Sequence, residues 1–444
     1  MYKKILIANR GEIALRILRT CKELGIATVA VHSKADADSM HVRLSDESVC
    51  IGDNHPQDSY LNIASILTAC DLTKACAIHP GIGFLSERSA FAEMAESHNI
   101  DFIGPSSQHI AMMGDKIRAK QVAVELGLPV IPGSEGVIEN TAHAHQLAKK
   151  CGYPVIVKAS SGGGGRGMKV AHSESELDQA IQLCASEAKA AFGDERLYME
   201  KFLQHPRHIE VQIIGDGQGG AIHLGERDCS IQRRHQKIIE EACSPVIDQK
   251  TRDQIGDVCV KAMQKFRYRG LGTIEFLYDG GEFYFIEMNT RLQVEHTVSE
   301  ELTRLDLIRM QIEASAYGRL SLKQSDISFT GHAIECRINA EDPVNFCPSP
   351  GQVKWFHAPG GPGVRFDSHL YSGYHVPPFY DSLIGKLVVH GPTRKKCVKR
   401  TLRALDETVI EGIKTNIELH QRILQDPAFV NHQYDINWLD RQYA

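Results

Sequence analysis

The 12 cysteines include no CxxC pair, so the commonest thiol spacings for zinc or redox chemistry are absent. The start, Met1-Tyr2-Lys3-Lys4-Ile5, leads straight into a short strand and has no signal-peptide core. Without an export signal the cysteines read as reduced packing residues, and the cytoplasm is the expected compartment. No apolar run approaches the length of a membrane span, so no membrane partner is expected. Positive charge is not in excess either. Lys and Arg number 50 against 55 Asp and Glu, a net −5 that argues against nucleic acid as a partner. There is no internal repeat and no low-complexity tail. What is present is the composition of an ordinary globular protein, 42% hydrophobic and 24% charged. At 444 residues the chain has room for about two to four domains.

The most informative stretch is Glu287-Met288-Asn289-Thr290-Arg291-Leu292-Gln293-Val294-Glu295. In an extended chain alternate side chains share a face. Glu287, Asn289, Arg291, Gln293 and Glu295 are therefore expected on one wall, with Met288, Leu292 and Val294 behind it. A merely solvated strand face would favour Lys, Thr or Ser over this mixture. Upstream, Thr273–Tyr278 and Glu282–Glu287 read as strands joined at Asp279-Gly280-Gly281, a hairpin signal. A two-residue loop of Asp279 and Gly280 would turn Glu275 and Glu287 to opposite sides. A three-residue loop would set Glu275 opposite Phe285, with Glu287 diagonal to it on the same face, about 7–8 Å away. The three-residue loop is expected, because that separation suits two carboxylates bracketing a metal ion, with Asn289 one step further. Hard oxygen ligands and no thiolate point to Mg²⁺ or Mn²⁺ rather than zinc.

Residues 1–113 read as an α/β unit. Ile5–Ala8 is a short strand, Gly11–Leu24 a helix ended by Gly25, and Thr28–His32 the next strand. That order implies a parallel sheet. The Asn9-Arg10-Gly11-Glu12 turn sits where such sheets bind ligands, but it lacks G-x-G-x-x-G, so no dinucleotide site is expected. Ala77–Glu87 is a strand running into a Pro/Gly loop, either a plain turn or a place where backbone approaches a ligand. Tyr153–Ala159 is a strand, followed by Ser160–Gly167 and a second strand-like run, Met168–Ala171. Gly162, Gly164 and Gly167 formally satisfy G-x-G-x-x-G, yet no helix follows and there is no GK[ST]. The glycines read instead as a mobile lid that closes backbone N–H groups over phosphates, with Lys158 in reach. Arg207–Ile213 alternates and sets His208, Glu210 and Gln212 on one face. Glu226–Lys237 gathers Arg, His and Lys between two apolar strands and reads as a site for a small multivalent anion. Ala333–Ala340 brings Glu335, Arg337 and Asn339 together. Short β segments follow to about Val389, and two amphipathic helices near 393–410 and 414–425 close the chain.

Seven stretches carry a resemblance: Ile7–Ala14, Lys158–Gly167, Glu226–Ser230, Gln232–Lys237, Phe285–Arg291, Gln293–His296 and Glu335–Glu341. On them the whole chain resembles the biotin carboxylase components of biotin-dependent carboxylases, within the ATP-grasp superfamily. The resemblance implies a multidomain α/β and α+β fold. A Rossmann-like (pre-ATP-grasp) domain would cover 1–113, and an ATP-grasp domain 114–330, with the mobile glycine-rich lid over 131–203. A β-rich C-terminal biotin carboxylase domain would cover 331–444. It implies carboxylation of biotin from Mg-ATP and bicarbonate through carboxyphosphate.

In the family's pattern Lys116 and Lys158 hold the nucleotide under Gly162, Gly163, Gly164, Gly165 and Gly167. Glu200, Lys201 and Leu203 line the adenine pocket, with His208, Gln232 and His235 nearby. Glu275, Glu287 and Asn289 hold two Mg²⁺ or Mn²⁺ ions beside ATP. Lys237, Arg291, Gln293 and Val294 surround bicarbonate, Glu295 is the general base, and Arg337 stabilises the enolate-like ureido oxygen of biotin. Ile82 stands where the family commonly has tyrosine, four lid glycines stand where five are common, and Pro362 where an aromatic often lies near the dimer contact. Neither a Met-Lys-Met biotin attachment site nor a carboxyltransferase region occurs. A separate biotin carboxyl carrier protein, carboxyltransferase subunits and a homodimer are therefore implied, with acetyl-CoA the expected acceptor in fatty-acid synthesis. Pyruvate, propionyl-CoA or 2-oxoglutarate carboxylation, another ATP-grasp carboxylate–amine ligase and a nucleotide sensor are the alternatives.

Overall fold

The computed structural model describes residues 1–134, 136–160 and 167–443. Near the N-terminus, β1 (Lys4–Ile7), β2 (Ala27–Ser33), β3 (Glu47–Gly52), β4 (Ala77–His79) and β5 (Asp101–Phe102) form a parallel sheet in the order β3-β2-β1-β4-β5. The chain order reverses between β1 and β4, so the turns that follow them lie side by side, the usual ligand crevice of such sheets. Helix α1 (Gly11–Glu23) leaves β1 at once and buries Ile13, Ile17, Leu18 and Cys21; Gly25, at φ +70, ends it as the sequence suggests. The Asn9 amide donates to the carbonyls of Pro80 and Ile82 at 2.8 and 2.7 Å, which ties the two turns together.

A second sheet is small and antiparallel: β6 (Val155–Ala159), β7 (Met168–Ala171) and β8 (Leu197–Lys201), in the order β7-β6-β8. The helices Thr141–Cys151 and Glu174–Phe192 pack with it around Ala148, Val155, Val157, Leu177 and Cys184, a core of its own.

The largest sheet is eight-stranded. β9 (Arg207–Asp216), β10 (Ala221–Arg233), β11 (Gln236–Ala242), β12 (Arg269–Asp279), β13 (Glu282–Asn289) and β14 (His332–Asn339) run antiparallel in the order β13-β12-β9-β10-β11-β14. Leu383–Gly391 and Val364–Ser368 continue it past β14. The large sheet thus continues across the expected boundary at 330/331. β14 pairs directly with β11, and Ile231, Ile238 and Ile239 pack in one cluster with Ile334, Leu387 and Trp438. β11 is buried and would be an open edge without this neighbour.

The basic cluster is likewise inside the sheet, not between strands: Glu226–Arg233 belongs to β10, and Arg234 and His235, both at positive φ, make the turn into β11. The two expected closing helices appear at Arg394–Glu407 and Ile417–Gln425. Two more follow, Pro427–Val430 and Trp438–Tyr443, whose 4 and 6 residues are too few to show a helical period. Among the described residues no helix is long and apolar enough to cross a membrane.

Candidate active site

A cavity of about 1520 Å³ opens between the three sheets. A single small-ligand pocket usually holds roughly 300–1,000 Å³, so there is room here for more than one reactant. Its wall takes Arg10 and Gly11 from the first turn, Lys158 and Glu200 from the small sheet, and His208, Lys237, Glu275 and Arg337 from the large one.

The hairpin that sets the carboxylates differs from both readings of the loop. Asp279 pairs with Glu282, so the loop is Gly280-Gly281. Both glycines have positive φ, 59° and 91°, as a two-residue hairpin turn of the primed type requires. The register then slips by one between Phe276–Phe285 and Glu275–Glu287, which makes Ile286 an extra residue on β13. Ile286 is 38% exposed, unusual for an isoleucine in this sheet. The slip puts Glu275 and Glu287 directly opposite each other, not on a diagonal, with Thr273 and Asn289 the next pair but one. The extended run also ends early. β13 stops at Asn289, a loop carries Arg291 to Glu295, and a helix begins at His296 (His296–Thr303). Leu292 is nonetheless buried, and Arg291, Gln293 and Glu295 all reach the cavity.

Charges interlock on this wall. Lys237 Nζ donates to Glu210 Oε2, Glu295 Oε1 and Glu275 Oε1 at 2.5, 2.6 and 3.1 Å. Arg337 donates through Nε to Glu240 Oε1 at 2.5 Å and through Nη2 to Glu295 Oε2 at 2.8 Å. Glu295 is therefore clamped by two cations. Burial acts to raise its pKa, but Lys237, Arg337 and Arg227 outweigh it and hold the carboxylate below its ordinary range. Arg291 is held from the first sheet's loop: Glu87 accepts its Nε at 2.9 Å and the Thr290 N–H at 3.1 Å. Gln293 donates to Glu275 Oε1 at 2.7 Å. Glu200 accepts from Lys120 and Lys158, each at 2.7 Å. His208 Nε2 lies 3.1 Å from Glu275. Burial acts to lower its pKa, yet Glu275 prevails and pushes it up to about 9.

Of the residues singled out in sequence, Lys116, Lys158, Glu200, His208, Gln232, His235, Lys237, Glu275, Glu287, Asn289, Arg291, Gln293, Val294, Glu295 and Arg337 all line this one cavity. Lys201 and Leu203 do not. In a strand, neighbours point to opposite faces, so with Glu200 facing the cavity Lys201 turns back to the carbonyls of Gly152 and Tyr153 at 2.9 and 3.0 Å. Leu203 is buried. Gly167 closes the β6–β7 hairpin, its carbonyl accepting from Ala159 N at 2.8 Å. Gly162, Gly163, Gly164 and Gly165 lie outside the described residues.

The basic cluster is no anion site as a whole. Arg227 is fully buried and donates to Glu210, Gln212, Thr273, Gln293 and Ser299, which makes it a scaffold beneath the wall. Arg233 stacks on Phe346 with 3.5 Å from its guanidinium to the ring centre. Sequence reasoning missed Glu87, Lys120, Glu240 and Lys386, the last donating to the Val294 carbonyl at 2.9 Å. Glu210 was visible in the alternation of β9 but received no role.

The donor set fits a hard divalent cation. Glu287 faces Glu275 and forms no ion pair among the described residues; burial and then the Glu275 charge push its carboxyl up. An ion between the two would offset both effects. The Asn289 amide oxygen accepts from Arg291 Nη2 at 2.6 Å and its nitrogen donates to Glu275 at 2.9 Å, so it stands within the same group. His208, Glu210 and Glu275 also bring ligand atoms within 4.8 Å of one another. There, however, Glu210 already holds Lys237 and Arg227, which makes it part of an ion-pair cluster.

Comparison with known proteins agrees along the whole chain. Residues 1–110 match the biotin carboxylase N-terminal domain, 115–323 the ATP-binding domain of the carbamoyl-phosphate synthase L chain, and 335–441 the biotin carboxylase C-terminal domain. Biotin carboxylase of Pseudomonas aeruginosa is 55% identical over 443 residues, covering 100% of this chain and 99% of the relative. The crystal structure of a Campylobacter jejuni biotin carboxylase–β,γ-ATP complex is 50% identical with a TM-score of 0.93, covering 100% of this chain and 99% of that one. The biotin carboxylase domain dimer of Hydrogenobacter thermophilus 2-oxoglutarate carboxylase, in complex with MgADP, ADP and bicarbonate, is 46% identical with a TM-score of 0.91, covering 99% and 98%. The chain belongs to the biotin carboxylase family.

Proposed function

We propose that this chain carboxylates biotin on a biotin carboxyl carrier protein, from ATP and bicarbonate through carboxyphosphate, as the first half-reaction of an acetyl-CoA carboxylase in fatty-acid synthesis. The observation that carries the reading is the Glu295 carboxylate, clamped by Lys237 at 2.6 Å and Arg337 at 2.8 Å in the cavity that holds the Glu275–Glu287 pair. Bicarbonate is a poor electrophile until it is phosphorylated. Lys237, Arg291, Gln293 and Val294 seat it, and Glu295 takes its proton as it attacks the γ-phosphate. The two cations keep Glu295 ionised and ready for that proton. Glu275, Glu287 and Asn289 would hold Mg²⁺ or Mn²⁺, which offsets phosphate charge when bound. Lys116 and Lys158, with the lid glycines, take the phosphates; Glu200, His208, Gln232 and His235 border the nucleotide. Arg337 then turns a hydrogen bond to the ureido oxygen as biotin gives its proton to the released phosphate.

The carrier protein, carboxyltransferase subunits and a second copy of the chain are the partners of this reading, and the cytoplasm its compartment. The biotin carboxylase domain of a 2-oxoglutarate carboxylase is 46% identical to this chain, so 2-oxoglutarate stands as the alternative acceptor, a choice that lies with the carboxyltransferase. The test is ATP hydrolysis by the purified chain with Mg²⁺, with and without bicarbonate and free biotin. Turnover that needs bicarbonate and rises with biotin supports the reading. Turnover indifferent to bicarbonate overturns it in favour of a carboxylate–amine ligase or a nucleotide sensor.

A further inference from the structure

Behind Arg337 lies an arrangement that the reaction as described does not use. Glu240 on β11 and Glu335 on β14 are direct partners across the sheet, and both are 0% exposed. Directly opposed side chains share a face, with Cβ atoms about 4.5–5.5 Å apart. One oxygen of each is engaged: Glu240 Oε1 accepts Arg337 Nε at 2.5 Å, and Glu335 Oε2 accepts the Thr297 hydroxyl. The other oxygens, Glu240 Oε2 and Glu335 Oε1, are buried without a hydrogen-bond partner among the described residues. A bare oxygen on a buried carboxylate is costly, and two of them opposed are costlier still.

We propose that Glu240 and Glu335 hold one proton between them, and that this one-proton pair positions Arg337 for the carboxylation of biotin. The second half rests on the role given to Arg337 above.

The surrounding charges leave no room for two anions. Lys237, on β11, is shared by Glu210, Glu275 and Glu295. Lys386, on Leu383–Gly391, holds the Val294 carbonyl at 2.9 Å and lies 3.3 Å from Glu12. Arg337 is divided between Glu240 and Glu295. No uncommitted cation faces the pair among the described residues. Burial pushes both carboxyls up, Glu240 to about 7 and Glu335 well above its ordinary range, although Arg337 and Lys386 act the other way. Opposed carboxyls that cannot both ionise share a proton and titrate as a unit. With one proton the pair presents a single negative charge to Arg337 Nε, balanced by Glu295 on Nη2. Without it, a doubly charged pair pulls the guanidinium back from Glu295 and the cavity.

Infrared spectroscopy of the full chain tests the proton directly. At mildly alkaline pH the wild type shows the C=O stretch of a protonated carboxyl that both Glu335→Gln and Glu240→Gln lack, because the introduced amide supplies the donor and the remaining carboxyl ionises. Bands of equal intensity in wild type and either folded variant overturn the proposal. The readout needs no turnover, so it stands apart from the test of the proposed function. The positioning role is read from pH profiles. The alkaline limb of biotin-dependent kcat/KM moves up by about one unit in Glu335→Gln, roughly tenfold more relative activity on that limb, while biotin-independent ATP cleavage keeps its profile. An unmoved limb removes Arg337 positioning from the pair.

Discussion

Lys237→Met is the most demanding test of the charge arrangement, because one ammonium group serves three carboxylates at 2.5, 2.6 and 3.1 Å. Breaking a buried ion pair by removing one partner costs about 3–5 kcal/mol. Glu210 keeps Arg227 and Glu275 keeps His208, so no carboxylate is left wholly bare. Spread over three groups, about 4 kcal/mol is a little over 1 kcal/mol each, or about one pH unit apiece. For Glu295 the sign is fixed. The base must be ionised, its pKa is held down with Lys237 the foremost cation, and removing Lys237 raises it. The acid limb of bicarbonate-dependent ATP cleavage therefore moves to higher pH by about one unit. The maximal rate falls as well, by about 10²–10³, the usual cost of losing one charged donor where charge develops. The assay is ADP release at saturating Mg-ATP and bicarbonate across pH, on a variant shown to be folded by its thermal unfolding. A rate within about tenfold of wild type, with an unmoved acid limb, refutes the idea that Lys237 keeps Glu295 ionised.

Three further outcomes are expected. Glu87→Gln weakens the hold on Arg291 and should raise KM for bicarbonate by about tenfold, the worth of one charge-assisted bond, with KM for ATP little changed; parallel rises in both would show a general disturbance of the cavity instead. Deleting Ile286 removes the bulge but leaves Glu287 as the residue after Phe285, so the regular register still sets it opposite Glu275. Bicarbonate-dependent ATP cleavage should keep a metal response that saturates, and a drop of about 10³ or more would mean that the bulge itself, beyond the facing of the two carboxylates, builds the site. Glu241 is buried among Arg394 at 2.6 and 2.8 Å, His332 at 2.8 Å and Tyr434 at 2.9 Å. Burial acts to raise its pKa, but Arg394 and His332 hold it well below the ordinary range. A depressed carboxylate adds stability above its unfolded pKa of about 4 and loses it as pH falls toward the native value. Glu241→Gln should thus cost about 3–5 kcal/mol at neutral pH, in a gap that narrows in acid; a gap independent of pH would deny Glu241 its charged role.

Most of the catalytic wall was legible because its residues are written close together. Glu287 to Glu295, Gln232 to Lys237 and Glu335 to Asn339 each pack several polar side chains into a run that a plain strand would not spend on them. Their supports were not legible. Glu87 is 204 positions from Arg291, Glu240 is 97 from Arg337, and Lys386 is 92 from Val294. Nothing local marks a glutamate or lysine as the partner of a group so far along the chain. The continuity of the large sheet across 330/331 was hidden for the same reason, since the pairing of β11 with β14 is a long-range fact.

The metal hairpin is the instructive case. The requirement that Glu275 and Glu287 share a face was legible, whereas the device that meets it was not. A three-residue loop was expected; the structure uses a two-residue loop and one bulged isoleucine. Facing depends on the parity of the residues between two positions, whether the odd one lies in the turn or in the strand. Two consecutive glycines favour the tighter turn because both can take positive φ. The extra residue must then be placed elsewhere, and Ile286, an apolar side chain at a strand position beside the carboxylates, gives no sign in composition that it is the one pushed out. Chemistry at a site thus constrains which side chains must meet, while turn sterics decide by which path they do so.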